Sequence, residues 1–266
     1  MEPAVTRPLV SAVIPTFNRA WAIGRAVASV LAQDYQPLEL IVVDDGSEDD
    51  TAHILEPLAA AGRLTLIRQP NGGVSAARNA GLRAARGDLL AFLDSDDEWR
   101  PGKIETQADF LERNPDQVLV QTQEIWFRQG RRVNPGLRHR KPAGDIFIPS
   151  LALCLISPSA VMLRRGLLDE VGLFDESLLA AEDYDLWLRV LARHPAGLID
   201  RELVIRHGGR PDQLSAGPAL DRWRITALEK ILRTDLAPER RRAAEAELER
   251  RRRIYLAGRL KRRSAG

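Results

Sequence analysis

Leu38-Glu39-Leu40-Ile41-Val42-Val43-Asp44-Asp45-Gly46-Ser47 begins as a mostly apolar run and breaks off into two acids, a glycine and a serine. Such a run, closed by turn formers, reads as a buried strand with a polar loop at its carboxyl end. The same pattern recurs on both sides of it. Residues 9–14 are an apolar run stopped by Pro15, and Trp21, Ile23, Val27, Val30 and Leu31 follow at helical spacing. Downstream come a helix over about 50–61, a strand at 64–67, a glycine pair, a helix over about 75–85 and a strand at 89–93. Strands alternating with helices predict an α/β fold, a mainly parallel sheet flanked by helices. In open sheets of this kind ligands bind beyond the carboxyl ends of the strands, which is where the polar clusters fall here.

The rest of the chain is less regular. A helix runs from about Pro101 to about Arg113, then come strands at 118–127 and 144–148, a helix over about 181–193 and a strand at 197–205. From Leu220, the residues Trp223, Leu228, Ile231 and Leu232 form one helical stripe that predicts packing on the body. Residues 238–263 are mostly charged, with a thin stripe at Leu248, Tyr255 and Leu260, and read as a solvated or partner-facing helix.

The 266 residues are 44% hydrophobic and 29% charged, enough to bury a substantial core. Lys and Arg number 39 against 37 Asp and Glu, and a net charge of +2 argues against a dedicated nucleic-acid binder. The balance is uneven, since 15 basic and 7 acidic residues lie from Ala219 onward, leaving an acidic body and a basic tail. A single cysteine, Cys154, excludes an internal disulfide or a Cys-rich zinc site. Without a basic, apolar leader or a long apolar run, the expectation is a cytoplasmic protein whose membrane contact, if any, is peripheral.

Four clusters carry candidate chemistry. Asp44-Asp45-Gly46-Ser47 offers acceptors to a base or ribose, although any strand can end in such a turn. Neither a G-x-G-x-x-G nor a G-x-x-x-x-G-K-[ST] pattern is present. Asn71-Gly72-Gly73 opens a helix of small residues in which Arg78 stands out, as a phosphate contact, a tie between carboxylate turns, or a surface residue. Asp94-Ser95-Asp96-Asp97-Glu98 crowds four acids at one strand end. Mutual repulsion there would be offset by a hard divalent cation, Mg²⁺ or Mn²⁺, the alternative being an acidic loop ahead of the next helix. Glu182-Asp183 opens an amphipathic helix, where acids suit the helix dipole and could also accept a hydroxyl proton. His207 follows the last strand as a possible metal ligand or phosphate contact.

Taken in order, SAVIPTFNR, LELIVVDDGSEDDT, NGGVSAARNAGL, LLAFLDSDDEW and AEDYDLW resemble the family 2 glycosyltransferases of the GT-A fold, over about residues 9–210. The resemblance implies a nucleotide-sugar donor, usually a UDP-sugar, and inverting transfer to a carbohydrate or lipid-linked acceptor in glycan or cell-surface polysaccharide synthesis. Pro15 and Thr16 would line the nucleotide pocket, Asp45 would bind the base with Asp44 beside it, and Arg78 would sit near the diphosphate. Asp94, Ser95 and Asp96 match the D-x-D motif, with Asp96 the direct metal ligand and Asp94 nearer the ribose or sugar. Asp183 matches the catalytic base. The processive Q-x-x-R-W motif is missing, which implies single additions. The implied organisation is a catalytic domain over 1–218, with a nucleotide half at about 8–115 and an acceptor half at about 116–218, then a basic helical extension over 219–266. The region 208–215, rich in glycine, proline and polar residues, is expected to be a loop that closes over the donor. Two alternatives remain open. A nucleotidyltransferase would carry a Gly-rich basic loop after the first strand, unlike Pro15-Thr16-Phe17-Asn18. A binding module would use the basic tail on RNA, anionic lipid or an acidic protein, although Glu245, Glu247 and Glu249 interleave its arginines.

Overall fold

A computed structural model describes residues 7–134, 136–209 and 220–263. The elements run β1 (Val10–Thr16), α1 (Ile23–Leu31), β2 (Leu38–Asp44), α2 (Thr51–Ala60), β3 (Thr65–Arg68), α3 (Val74–Ala84), β4 (Leu89–Phe92), β5 (Glu98–Trp99) and α4 (Lys103–Arg113). They continue with β6 (Leu119–Arg128), β7 (Arg131–Val133), α5 (Phe147–Ala152), β8 (Val161–Arg164), α6 (Gly166–Val171), α7 (Glu182–Leu191), β9 (Gly197–Gly208), α8 (Leu220–Ile231) and α9 (Pro238–Arg263).

The strands form one mixed sheet in the order β3-β2-β1-β4-β8-β6-β9-β5, with β7 paired to β6. β1 is parallel to β2 and β4, β2 to β3, and β6 to β9, whereas β8 is antiparallel to both β4 and β6. Six strands therefore point the same way, and the ends of β1, β2, β4 and β9 gather at one edge. Strand alternation explains the two buried faces. Val13, Ile41, Val43, Leu90 and Phe92 point into the core shared with α3 and α7, while Val10, Ala12, Ile14, Leu40 and Val42 point into the core under α1 and α4. α3 lies close on the sheet because Gly81 faces Val13 and Val43, where an added Cβ would meet Val13 Cγ1 at 2.4 Å.

Three features differ from the sequence reading. Residues 144–148 are not a strand: Gly144 makes an isolated bridge to Ala196, and α5 begins at Phe147, whose N–H is accepted by Asp145 Oδ1. Pro149 falls in the first turn of α5, where its missing donor costs nothing. β8, too short to stand out in the sequence, lies in the centre of the sheet. The basic tail is not simply solvated, since α9 packs on α8 and α5 and buries Ala244, Leu248, Glu247 and Arg251. The loop expected over 208–215 lies largely outside the described residues. Among the described residues no helix is long and apolar enough to cross a membrane.

Candidate active site

The shared strand edge collects the acidic turns. Asp44 ends β2 beside Thr16, the last residue of β1, and Thr16 O accepts the Asp45 N–H. Pro15 and Thr16 are buried here, and the Thr16 hydroxyl has no hydrogen-bond partner among the described residues. Asp44 Oδ1 accepts the Ser47 N–H at 3.0 Å. Asp45 joins two loops: its Oδ1 accepts from Gln69 Nε2 at 2.7 Å and from the Gly72 N–H at 2.9 Å, and its Oδ2 accepts from the Gly73 N–H at 2.8 Å. The turn needs Gly46, at φ +80°, because a Cβ there would stand 2.9 Å from Asn71 N.

Arg78 ties the next two clusters together. Its guanidinium donates to Asp94 Oδ1 at 2.8 Å and to Glu182 Oε1 at 2.6 Å, and its Cζ lies 5.1 Å from the Phe174 ring centroid. Burial alone would weaken its charge, but Asp94 and Glu182 hold it firmly protonated. The acidic run after β4 and the Glu182-Asp183 pair, nearly ninety residues apart in the chain, thus meet across one side chain. Ala181, in the left-handed region at φ +59°, starts α7 and turns Glu182 and Asp183 toward this crevice. Asp183 is half-buried; its Oδ1 accepts the Tyr184 N–H, and Cys154 Sγ lies 3.8 Å from its Oδ2.

Within the acidic run each carboxylate has its own surroundings. Asp94 is held by Arg78, and its N–H donates to Ser159 Oγ. Ser95 is buried and Asp96 half-buried between its neighbours. Burial, then the charge of Asp94, pushes the Asp96 carboxyl above its ordinary value. Asp97 is buried and pushed further up, yet it accepts from Ser159 Oγ and from the His207 N–H, locking the run to β9. The His207 ring Nε2 lies 2.7 Å from Glu98 Oε1.

No set of three His, Cys, Asp or Glu side chains among the described residues is arranged to hold a metal. Two hard oxygen donors with excess negative charge nevertheless suit Mg²⁺ or Mn²⁺ whose remaining ligands come from phosphate and water. The donor set therefore fits such an ion.

A second buried cluster has no counterpart in the sequence reading. Glu124 on β6 pairs with Lys141 Nζ at 3.3 Å and accepts from Trp126 Nε1 at 2.9 Å and from the Ser157 hydroxyl, while Arg206 Nη1 lies 3.9 Å away. Burial would raise the Glu124 carboxyl, but Lys141, Arg206 and the two hydrogen bonds outweigh it and hold it at about 2. Its one sequence signal is an acid inside an otherwise uncharged strand, 118–127.

The model for glycosyl transferase family 2 matches residues 11–172. The chain is 34% identical over 211 residues to an uncharacterised glycosyltransferase of Rickettsia prowazekii, a match covering 77% of this chain and 65% of the relative, so it spans just under two thirds of that protein. It is 32% identical over 191 residues to the UDP-Glc:alpha-D-GlcNAc-diphosphoundecaprenol beta-1,3-glucosyltransferase WfaP of Escherichia coli, covering 70% of this chain and 71% of WfaP. Its fold is shared with S. aureus TarS 1–349 in complex with UDP-GlcNAc, at a TM-score of 0.74 and 23% identity, covering 91% of this chain and 72% of that one. Mannosyltransferase PcManGT from Pyrobaculum calidifontis, in complex with GDP-Man and Mn²⁺, shares it at a TM-score of 0.70 and 20% identity, covering 98% and 77%. With the family model matched over more than half its length, on a sheet whose acidic strand ends meet at Arg78, the chain belongs to glycosyl transferase family 2.

Proposed function

We propose that this chain transfers a sugar, with inversion, from a nucleotide-sugar donor to a hydroxyl of a carbohydrate or lipid-linked acceptor. The observation that carries the reading is Arg78, which brings Asp94 and the Glu182-Asp183 pair to one crevice. UDP is the preferred nucleotide, supported by the UDP-sugars named for WfaP and bound in TarS. Pro15, Thr16, Asp44, Asp45, Arg78 and Ser95 would surround the donor. Asp45 keeps one acceptor position, beyond its three internal hydrogen bonds, for a base N–H. Asp96, with Asp94 beside it, would hold Mg²⁺ or Mn²⁺, which when bound supplies positive charge against the donor diphosphate. His207, next to Glu98, is the remaining candidate ligand. Asp183 would accept the proton of the attacking hydroxyl.

Residues 1–218 would form the catalytic domain, with the nucleotide in the 8–115 half and the acceptor in the 116–218 half. WfaP, by its name, uses a diphosphoundecaprenol-linked acceptor. An acceptor of that kind would place this enzyme at the cytoplasmic face of the membrane, touched by the end of α9, where Ile254 and Leu256 are exposed among arginines.

The test is binding and hydrolysis of UDP-, GDP- and TDP-sugars with Mn²⁺ or Mg²⁺, in wild type and Asp96→Ala. A metal-dependent response to one nucleotide, lost in Asp96→Ala, is expected; no response to any removes the proposal. Asp183→Asn should keep donor binding and lower transfer about 10²–10⁴-fold in single-turnover assays.

A further inference from the structure

The fold engages two of the four acids that follow β4. Glu98 Oε1 lies 2.7 Å from the His207 ring Nε2 and 3.6 Å from Arg25 Nε. Both Asp97 oxygens are taken, Oδ1 by the His207 N–H at 3.1 Å and Oδ2 by the Ser159 hydroxyl at 2.7 Å. Asp94-Ser95-Asp96-Asp97 is a tight turn, closed by the Asp97 N–H donating to the Asp94 carbonyl at 2.9 Å, so the direction of Asp96, at its third position, follows from the turn. The Ser159 hydroxyl also accepts the Asp94 N–H at 3.1 Å, and this one buried oxygen therefore holds the first and last residues of the turn together. Strand pairing brings the serine there. β8 runs antiparallel to β4 with Ala91 opposite Met162, and the same register carried beyond both strands sets Ser159 level with Asp94. The backbone of Ser159 is fastened in turn: its carbonyl accepts from Trp99 Nε1 at 2.8 Å, and the next carbonyl, of Ala160, accepts from Gln107 Nε2 at 3.0 Å. The buried Lys103 places its Nζ 4.1 Å from the Trp99 ring centroid and donates to Gln107 Oε1.

We infer that Ser159 is a positioning residue for the metal site: by bridging Asp94 and Asp97 it fixes the turn that aims Asp96 at the cation. The inference rests on the glycosyltransferase reading above and adds a residue that touches neither donor nor metal. Without the hydroxyl, Asp97 keeps a buried oxygen unpaired and the Asp94 N–H loses its acceptor, and both losses fall on the turn itself. Groups that orient metal ligands from outside commonly set metal affinity by about 10–100-fold. Ser157 supplies the contrast. It is buried two residues away on the same stretch of chain, but its hydroxyl donates to Glu124 on β6, so its removal disturbs that stretch without touching the acidic run.

Titration with Mn²⁺ in the presence of saturating UDP, read from the paramagnetic resonance signal of the free ion, measures the site without turnover. Ser159→Ala should weaken Mn²⁺ binding about tenfold or more, while Ser157→Ala should stay within about twofold of wild type. Ser159→Thr, which keeps the hydroxyl, should recover most of the loss. If Ser159→Ala does not fold, Trp99→Phe carries the comparison. It removes the donor to the Ser159 carbonyl, leaves the acidic side chains in place, and should weaken Mn²⁺ binding about threefold, the worth of one hydrogen bond. Wild-type Mn²⁺ affinity in folded Ser159→Ala, or in Trp99→Phe where that variant is the one that folds, overturns the inference. So does an equal loss in Ser157→Ala, or a loss in Ser159→Thr as large as in Ser159→Ala. Absence of Mn²⁺ and UDP binding by wild type removes the donor reading and this inference with it, whereas the other outcomes remove this inference alone.

Discussion

Arg78 carries two carboxylates at once and is 4% exposed at its side chain, so its removal leaves Asp94 and Glu182 facing each other without a cation. Arg78→Met should cost about 3–5 kcal/mol in urea unfolding, and Arg78→Lys less, because a point charge serves one acid better than two. Lys141 poses the same question at Glu124. The Glu124 carboxyl, held at about 2 against an ordinary 4.5, contributes about 3 kcal/mol above pH 4.5, and that contribution disappears as pH falls toward 2. Lys141→Met removes the main counter-charge, so its penalty at pH 7 should shrink when both proteins are unfolded near pH 4, where Glu124 of the variant is protonated. An equal penalty at both pH values would contradict the pairing. Arg78 stood out in the sequence as the one large cation among Ala, Gly and Ser. Glu124, Lys141 and Arg206 did not, because ion pairs between distant segments follow no spacing rule.

At the scale of elements, contact between α3 and the sheet is set by a missing side chain. Gly81→Leu would drive carbon into Val13 and Val43 and should cost at least about 1–3 kcal/mol, whereas Gly24→Ala, in α1 where an added Cβ meets nothing within 4 Å among the described residues, should gain about 0.5–1 kcal/mol. Thermal melts of the two variants check both signs. The βα alternation of the first half was legible because β1, β2 and β4 are largely buried on both faces and read as mostly apolar runs. The second half was harder for a physical reason. β8 has only four residues, and its place between β4 and β6 comes from pairing with strands far away in the chain. Residues 144–148 have a strand-like composition, but Gly144 at φ +86° and the Asp145 contact to the Phe147 N–H turn the chain into α5 instead.

Across the whole molecule, the charge asymmetry is partly internal. Arg251 of α9 pairs with Glu247 at 2.6 Å and Asp221 at 2.8 Å and donates to the Ala152 carbonyl, and Arg252 pairs with Glu229 and Glu249. The composition showed an excess of arginine but not that several of these arginines fasten α9 to α8 and α5. Arg251→Met should therefore cost about 3 kcal/mol, roughly 6–12 °C in Tm, and unfolding should stay a single transition because α8, α9 and α7 share one core. Separate melting of the helical extension, seen by circular dichroism against tryptophan fluorescence, would show that α9 is merely attached.

The chain has one thiol, and the fold sets it 3.8 Å from Asp183. Burial and the nearby carboxylate raise its proton affinity, so the half-buried thiol should react slowly with any alkylating reagent. The labelling rate of Cys154 therefore reports the surroundings of one spot, free of background from other cysteines. Changes in that rate on adding a nucleotide, a metal or an acceptor would report how each occupies the crevice before any product forms.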